Sequence, residues 1–183
     1  MNEENLALRR AWRCNLSEKV FEAIRKKVES EPYAKKLGLK LRKLASGYSL
    51  VEMTPVPEMD NIFGMVHGGA IFSLIDEAFE TASNSHGTVS VALQVSISYL
   101  RTPAAGATLF AEAKEVNRSR SVSHYEISVR DEEDNLIATS LAMAYRKKDP
   151  LPFLAQDELE TVRQEATAIL SRPVDQEGGR AAS

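Results

Sequence analysis

The run GMVHGGAIFSLIDEAFE over residues 64–80 combines residue types that can do chemistry with a spacing that suits it. Gly68 and Gly69 follow His67 and let the backbone come close to a ligand. An apolar pattern of helical period begins at once. The first turn of that helix leaves free N–H groups, and the positive end of its dipole lies beside the glycines. An electrophilic carbonyl or an anionic oxygen is the natural guest there. One carboxylate, Asp76, lies inside the helical run, where it can act on such a guest as base or nucleophile.

The elements that position these residues follow from periodicity. Residues 3–30 read as helical, with Leu6, Trp12, Leu16, Val20, Phe21 and Ile24 at three-to-four spacing. Asn15–Glu18 is a point where this helix could split in two, with Ser17 as N-cap. Pro32 ends the segment, and residues 33–38 connect to two short strands between Leu39 and Thr54 that turn at Ser46–Gly47. Pro55 and Pro57 stop the second strand. The central helix is predicted from about Gly69 to Ser85, closed by Gly87. Its apolar residues, from Ala70 through Phe72, Leu74 and Phe79 to Ala82, cover roughly 200° of the helical wheel, a face that a curved sheet can wrap. Asp76 falls just past the Phe72 edge of that face, beside Ser73, Glu77 and Glu80, which periodicity alone reads as a solvated side.

The second half reads as strands. Val91, Leu93, Val95, Ile97 and Tyr99 alternate with small or polar residues, the pattern of a half-buried strand. Three more strand candidates span residues 107–116, 121–130 and 135–146, the last two joined at Asp131–Asn135. Pro150 and Pro152 break the chain, and residues 153–171 form an amphipathic pattern before a polar tail expected to be disordered. A helix followed by antiparallel strands is an α+β domain. The expected organisation is an N-terminal helical extension over 1–32, a central domain over 33–149, and a C-terminal helix and tail over 150–183.

Bulk properties narrow the function classes. With 183 residues, 43% of them hydrophobic, the chain can bury one sizeable core. A net charge of -3 without a dominant basic patch argues against a nucleic-acid partner. Cys14 is the single cysteine, so neither a disulfide framework nor a cysteine metal cluster is expected. The first residues carry charges where a signal peptide needs an apolar stretch, and no run approaches the roughly 18 apolar residues of a membrane span. A cytoplasmic location is the expectation, with no membrane partner.

HGGAIFSLID, with Asn61 six residues before His67 and Asp76 nine after it, closely resembles the phenylacetyl-CoA thioesterase (PaaI-like) branch of the hotdog acyl-CoA thioesterases. The similarity continues through SNSHG, SISYLRTPAAG and IATSLAMAYR and covers about residues 33–147. It implies the hotdog fold, a long helix wrapped by a curved antiparallel sheet, and hydrolysis of an acyl-CoA. It further implies that Asp76 is the catalytic carboxylate and that the Gly68 N–H polarises the thioester carbonyl, which Asn61 also contacts. His67 belongs to the motif, and Gly69 and Phe72 adjoin the substrate. Arg120 and Ser121 resemble an element lying near coenzyme A, and Arg118 is a further phosphate contact. Three positions depart from the relatives. Ala92 stands where many have Ser or Thr helping to hold the attacking water, and Glu80, where small or neutral residues are common, could raise the Asp76 pKa by like-charge repulsion or simply point to solvent. Ser119 also replaces the usual glycine of the coenzyme A element.

The chemistry needs no metal and no cofactor beyond the coenzyme A of the substrate, because a thioester carbonyl is already a good electrophile. Asp76 would act either as general base toward water or as nucleophile through an anhydride; the sequence leaves both open. Gly68 and Asp76 are eight residues apart on one helix, or roughly 12 Å along its axis, too far to meet one carbonyl. A second, antiparallel copy of the helix brings the glycine end of one chain to the Asp of the other, so a homodimer is the expected active unit. The resemblance makes a tetramer of paired dimers a further expectation. An aryl or medium-chain acyl group would suit a pocket lined by Ile62, Phe63 and Phe72. The competing readings are a hotdog hydratase, against which the spacing from HGG to Asp argues, and a non-catalytic acyl-CoA-binding module.

Overall fold

The computed structural model describes residues 3–154, with side chains from residue 17 onward. Helix α1 (Glu3–Ser30) runs unbroken, so the split expected at Asn15–Glu18 does not occur. Val20, Phe21, Ile24 and Val28 recur at helical spacing and are buried, and packing of such a stripe stabilises a helix more than local propensity does. The chain turns at Glu31, which is extended (φ -67°, ψ 123°) as the residue before a proline prefers, and α2 (Pro32–Leu37) follows.

Six strands then form one antiparallel sheet: β1 (Lys40–Ala45), β2 (Tyr48–Met53), β3 (Thr88–Tyr99), β4 (Leu109–Arg118), β5 (Val122–Asp131) and β6 (Leu136–Pro150). Their order across the sheet is β1-β2-β4-β5-β6-β3. Helix α3 (Gly68–Asn84) packs against the inner face, which makes this the hotdog arrangement of an α+β fold. Leu74, Ile75, Ala78, Phe79 and Ala82 of the helix are buried against Val51, Met53, Ile127 and Val129 and a set of sheet alanines: Ala111, Ala113, Ala138, Ala142 and Ala144. Small side chains on the sheet let the helix lie close. Phe79 meets Tyr125 edge-on, ring centroids 5.3 Å apart. Hydroxyls fix the helix position, with Ser49 bonded to Thr81 at 2.7 Å and Ser85 accepting the Gly47 N–H at 2.7 Å.

Two strands depart from the sequence pattern. In β3 the register with β6 shifts between Ala92 and Gln94, leaving Leu93 as an extra bulged residue. Val91 therefore pairs with exposed Tyr145 on the outer face, whereas Val95, Ile97 and Tyr99 pair with buried Ala142, Ser140 and Ala138 on the inner face. The alternation over 91–99 is not one buried stripe. Because β3 is the last strand of the sheet, Val91, Leu93 and Tyr99 are exposed. In β6 the strand continues past Arg146 to Pro150, which pairs with Thr88. A proline at the final strand position withholds no needed donor. The C-terminal helix expected over 153–171 and the tail lie, beyond residue 154, outside the described residues. Among the described residues no helix is long and apolar enough to cross a membrane.

Candidate active site

The loop entering α3 is folded tightly on itself. Pro57 begins a 3-10 turn at Pro57–Met59, Asp60 bridges Val66, and the His67 N–H reaches the Met59 carbonyl at 2.8 Å. The Asn61 side chain organises the turn between them: its Oδ1 accepts the N–H groups of Phe63 (2.8 Å) and Met65 (3.3 Å). Its Nδ2, the donor end of the amide, has no partner among the described residues. Ile62 and Phe63 at the tip are largely exposed.

His67 caps α3. Its Nδ1 accepts the Gly69 N–H at 2.8 Å, which requires the ring proton on Nε2, and its carbonyl accepts Ala70 and Ile71. Gly69, an expected substrate contact, thus has its N–H engaged within the cap. The Gly68 N–H has no partner among the described residues and is the donor left at the helix start. Tyr99 OH donates to the Gly68 carbonyl at 3.1 Å, and a Cβ on Gly68 would lie only 3.3 Å from Tyr99 Cζ. Glycine is what allows this contact between β3 and the helix start, and the sequence offered no signal for it beyond an aromatic in a strand.

Asp76 lies two turns further along α3, half-buried, and burial raises its pKa above the ordinary value of 3.8. Burial is the cause; Glu80 is exposed, and desolvation, then repulsion with Glu31 and Asp76, raises the Glu80 carboxyl instead. The side of the helix around Asp76 is only partly solvated. Ser73 and Glu77 are buried: Tyr33 of α2 shares a hydrogen bond of 2.8 Å with Ser73, and Glu31 just before α2 lies beside Glu77. Glu31, Glu77 and Glu80 bring carboxylate oxygens within 4.8 Å of one another, the one acidic trio among the described residues close enough to share an ion. Glu77 Oε1 is buried with no partner. Burial first, then the charges of Glu31, Glu80 and Asp76, push the Glu77 carboxyl up to about 8. A proton on Glu77 relieves this crowding of like charge. Phe72 is partly exposed at the edge of the helix, and Ala92 is exposed on β3.

The remaining expected residues lie on the turn between β4 and β5. Arg118 Nε is 3.7 Å from Glu115 Oε1; Arg120 is exposed and Ser121 half-buried. Glu115 also takes His86 Nε2 at 2.9 Å and the Tyr125 hydroxyl at 2.8 Å. Burial pushes Glu115 upward, but hydrogen bonds and charge from His86, then Tyr125 and Arg118, hold it below the usual carboxylate range. His86 follows the end of α3, so this turn flanks the C-terminal end of the helix. Gly68 marks the N-terminal end, 17 residues or about 25 Å away. Within one chain the expected site residues therefore form separate groups: Asn61, His67, Gly68 and Gly69 at one end of α3, Asp76 near its middle, and Arg118, Arg120 and Ser121 at the other end. Two concavities of the single chain, about 410 Å³ beside α1 and about 390 Å³ on the open face of the sheet, include none of them.

A profile of the thioesterase superfamily matches residues 63–138. The acyl-coenzyme A thioesterase PaaI of Escherichia coli is 31% identical over 131 residues, spanning 72% of this chain and 94% of that protein. Its solved structure superposes with a TM-score of 0.69 at 32% identity, over 72% of this chain and 96% of that one. A mutant of the phenylacetic acid degradation protein PaaI of Thermus thermophilus gives a TM-score of 0.62 at 36% identity, covering 64% of this chain and all of that one (100%). A Streptococcus mutans protein solved bound to acetyl CoA gives 0.57 at 27% identity, covering 60% and 88%.

Proposed function

Because the chain belongs to the thioesterase superfamily and is a thioester hydrolase of the hotdog fold, we propose that it cleaves acyl-coenzyme A to a free acid and coenzyme A. The observation that carries this reading is the start of α3, where the His67 cap engages the Gly69 N–H and leaves that of Gly68 as a donor. That donor polarises the thioester carbonyl and holds the oxyanion as it forms, a role worth about 2.7–4 kcal/mol in comparable sites. The Asn61 amide, oriented through its own Oδ1, is a second donor to the same oxygen. Asp76 takes the proton of the attacking water, or attacks the carbonyl itself to give an anhydride that water then opens. In both routes the C–S bond breaks and the coenzyme A thiolate takes up a proton. A base with a burial-raised pKa gives a rate that falls, on acidification, at a pH above the ordinary aspartate value.

The active unit in this reading is a homodimer. The exposed edge of β3 is a long strand with apolar residues on both faces, the kind of edge that pairs with another chain. Pairing with a second β3 about a twofold axis sets two α3 helices antiparallel. Each site then draws Asn61 and Gly68 from one protomer. Asp76 and the turn carrying Arg118, Arg120 and Ser121 come from its partner, on the side where a coenzyme A tail leaves the carbonyl. Phe72 lies near the axis, where Ile62 and Phe63 can cover an aryl or medium-chain acyl group. Pairing of such dimers would give a tetramer.

Thiol release from a panel of acyl-CoA thioesters tests the reaction. Asp76→Asn is expected to lower kcat by roughly 10²–10⁴-fold with a melting temperature no lower than that of the wild type. Wild-type turnover surviving the substitution would remove Asp76 from the mechanism. Tight acyl-CoA binding without turnover in the wild type would favour a binding module instead.

A further inference from the structure

Arg146 stands in the later part of β6, opposite Ser90, on the helix-facing side of the sheet and beneath the turn that joins β4 to β5. It holds that turn at two points. Its backbone N–H donates to the Ser121 carbonyl at 2.8 Å, and its Nη1 donates to the Ser119 carbonyl at 2.7 Å. Ser119 completes the turn from within: its N–H and hydroxyl both donate to the Val122 carbonyl at 2.8 Å, and its Oγ accepts the Val122 N–H at 3.2 Å. Ser119 has no positive φ, so the turn needs no glycine there. With its carbonyl pinned from below and its side chain turned onto Val122, Ser119 has one arrangement, and it fixes the positions from which Arg118 and Arg120 depart.

The charges around Arg146 are poised in the same sense. Burial, then the nearby charge of Arg118, lowers its pKa, while Glu115 and Tyr125 oppose this. Its Nε is buried with no partner. Glu115 is the carboxylate whose charge acts on both guanidiniums, and it is already shared with His86 and Tyr125. Arg118, Arg120 and Arg146 therefore leave positive charge in excess at the turn, which a phosphate group can balance. We propose that Arg146 is a positioning residue: it presents the Arg118–Ser121 turn to the phosphate-bearing end of coenzyme A. This rests on the reading that the turn meets coenzyme A.

The test compares an acyl-CoA with the acyl-pantetheine thioester, which has the same reacting bond and lacks the nucleotide phosphates. Arg146→Gln is expected to raise KM for the acyl-CoA roughly tenfold, with kcat and the acyl-pantetheine kinetics unchanged. Arg146→Lys keeps the charge but loses the planar fork, and should recover part of the loss; it also serves if the Gln variant folds poorly. An equal rise in KM for both substrates, a fall in kcat alone, or no change in either variant overturns the proposal. Arg118→Gln and Arg120→Gln separate the two layers of inference. If they raise KM selectively for the acyl-CoA and Arg146→Gln does not, the positioning role fails and the coenzyme A reading stands. If they have no selective effect, the coenzyme A reading of the turn fails.

Discussion

At the scale of single residues, Glu77 sets the clearest expectation. Its carboxyl is held near 8 in the fold against 4.5 for the ordinary group, so the native state prefers the protonated form. The stability this contributes is fully present below 4.5 and is lost as the pH rises through about 8. Glu77→Gln mimics the protonated group. Melting temperatures of variant and wild type should be similar at pH 5, with the variant higher by at least about 4 °C at pH 9. A difference that does not vary with pH would show that Glu77 is not buried against Glu31 and Glu80. The motif around Asp76 was legible because the chemistry lies in consecutive residues. The burial of Glu77 and Ser73 was not, because their cover comes from Glu31 and Tyr33, some 40 residues earlier, and a helical wheel records a helix without its neighbours. The role of Arg146 is illegible in the sequence for a similar reason: its partners lie on a turn that only the sheet register brings above it.

At the scale of elements, the start of α3 depends on an unusual cap. His67→Ala should cost about 1 kcal/mol through the lost acceptor for Gly69, a fall of about 2–4 °C in melting temperature by calorimetry. His67→Asn restores a short side-chain acceptor and should recover both stability and rate. If the Asn variant were stable but inactive, the ring itself would take part in the reaction. The central helix was readable to within a residue at each end, since its apolar face is broad and glycines flank it. In β3 the alternation signalled a strand correctly, yet a period of two cannot reveal the extra residue at Leu93 that moves Val91 to the opposite face.

At the scale of the whole molecule, the proposed twofold makes each site a composite. Mixing Asp76→Ala with Asn61→Ala chains gives heterodimers in which one site keeps both residues and the other keeps neither. With random exchange, half the dimers are mixed and each has one working site, so activity should return to about a quarter of wild type. Mixed dimers verified by native mass spectrometry that stay inactive would place both residues in one chain's site. The architecture as a whole was legible from one apolar helix followed by strands, whereas the edge of β3 acquires meaning only once the strand order shows it to be the last in the sheet.

The alanines lining the sheet beneath α3 act as a spacer. Ala111, Ala113, Ala138 and Ala144 are fully enclosed, so each fixes how far the helix stands off the strands. Gly68 and Asp76 both ride on that helix. A bulkier side chain at any of these positions would jack the helix outward and carry both groups with it. The thickness of the domain and the alignment of its proposed reacting groups are thus one and the same dimension, gauged by the smallest side chains in its core.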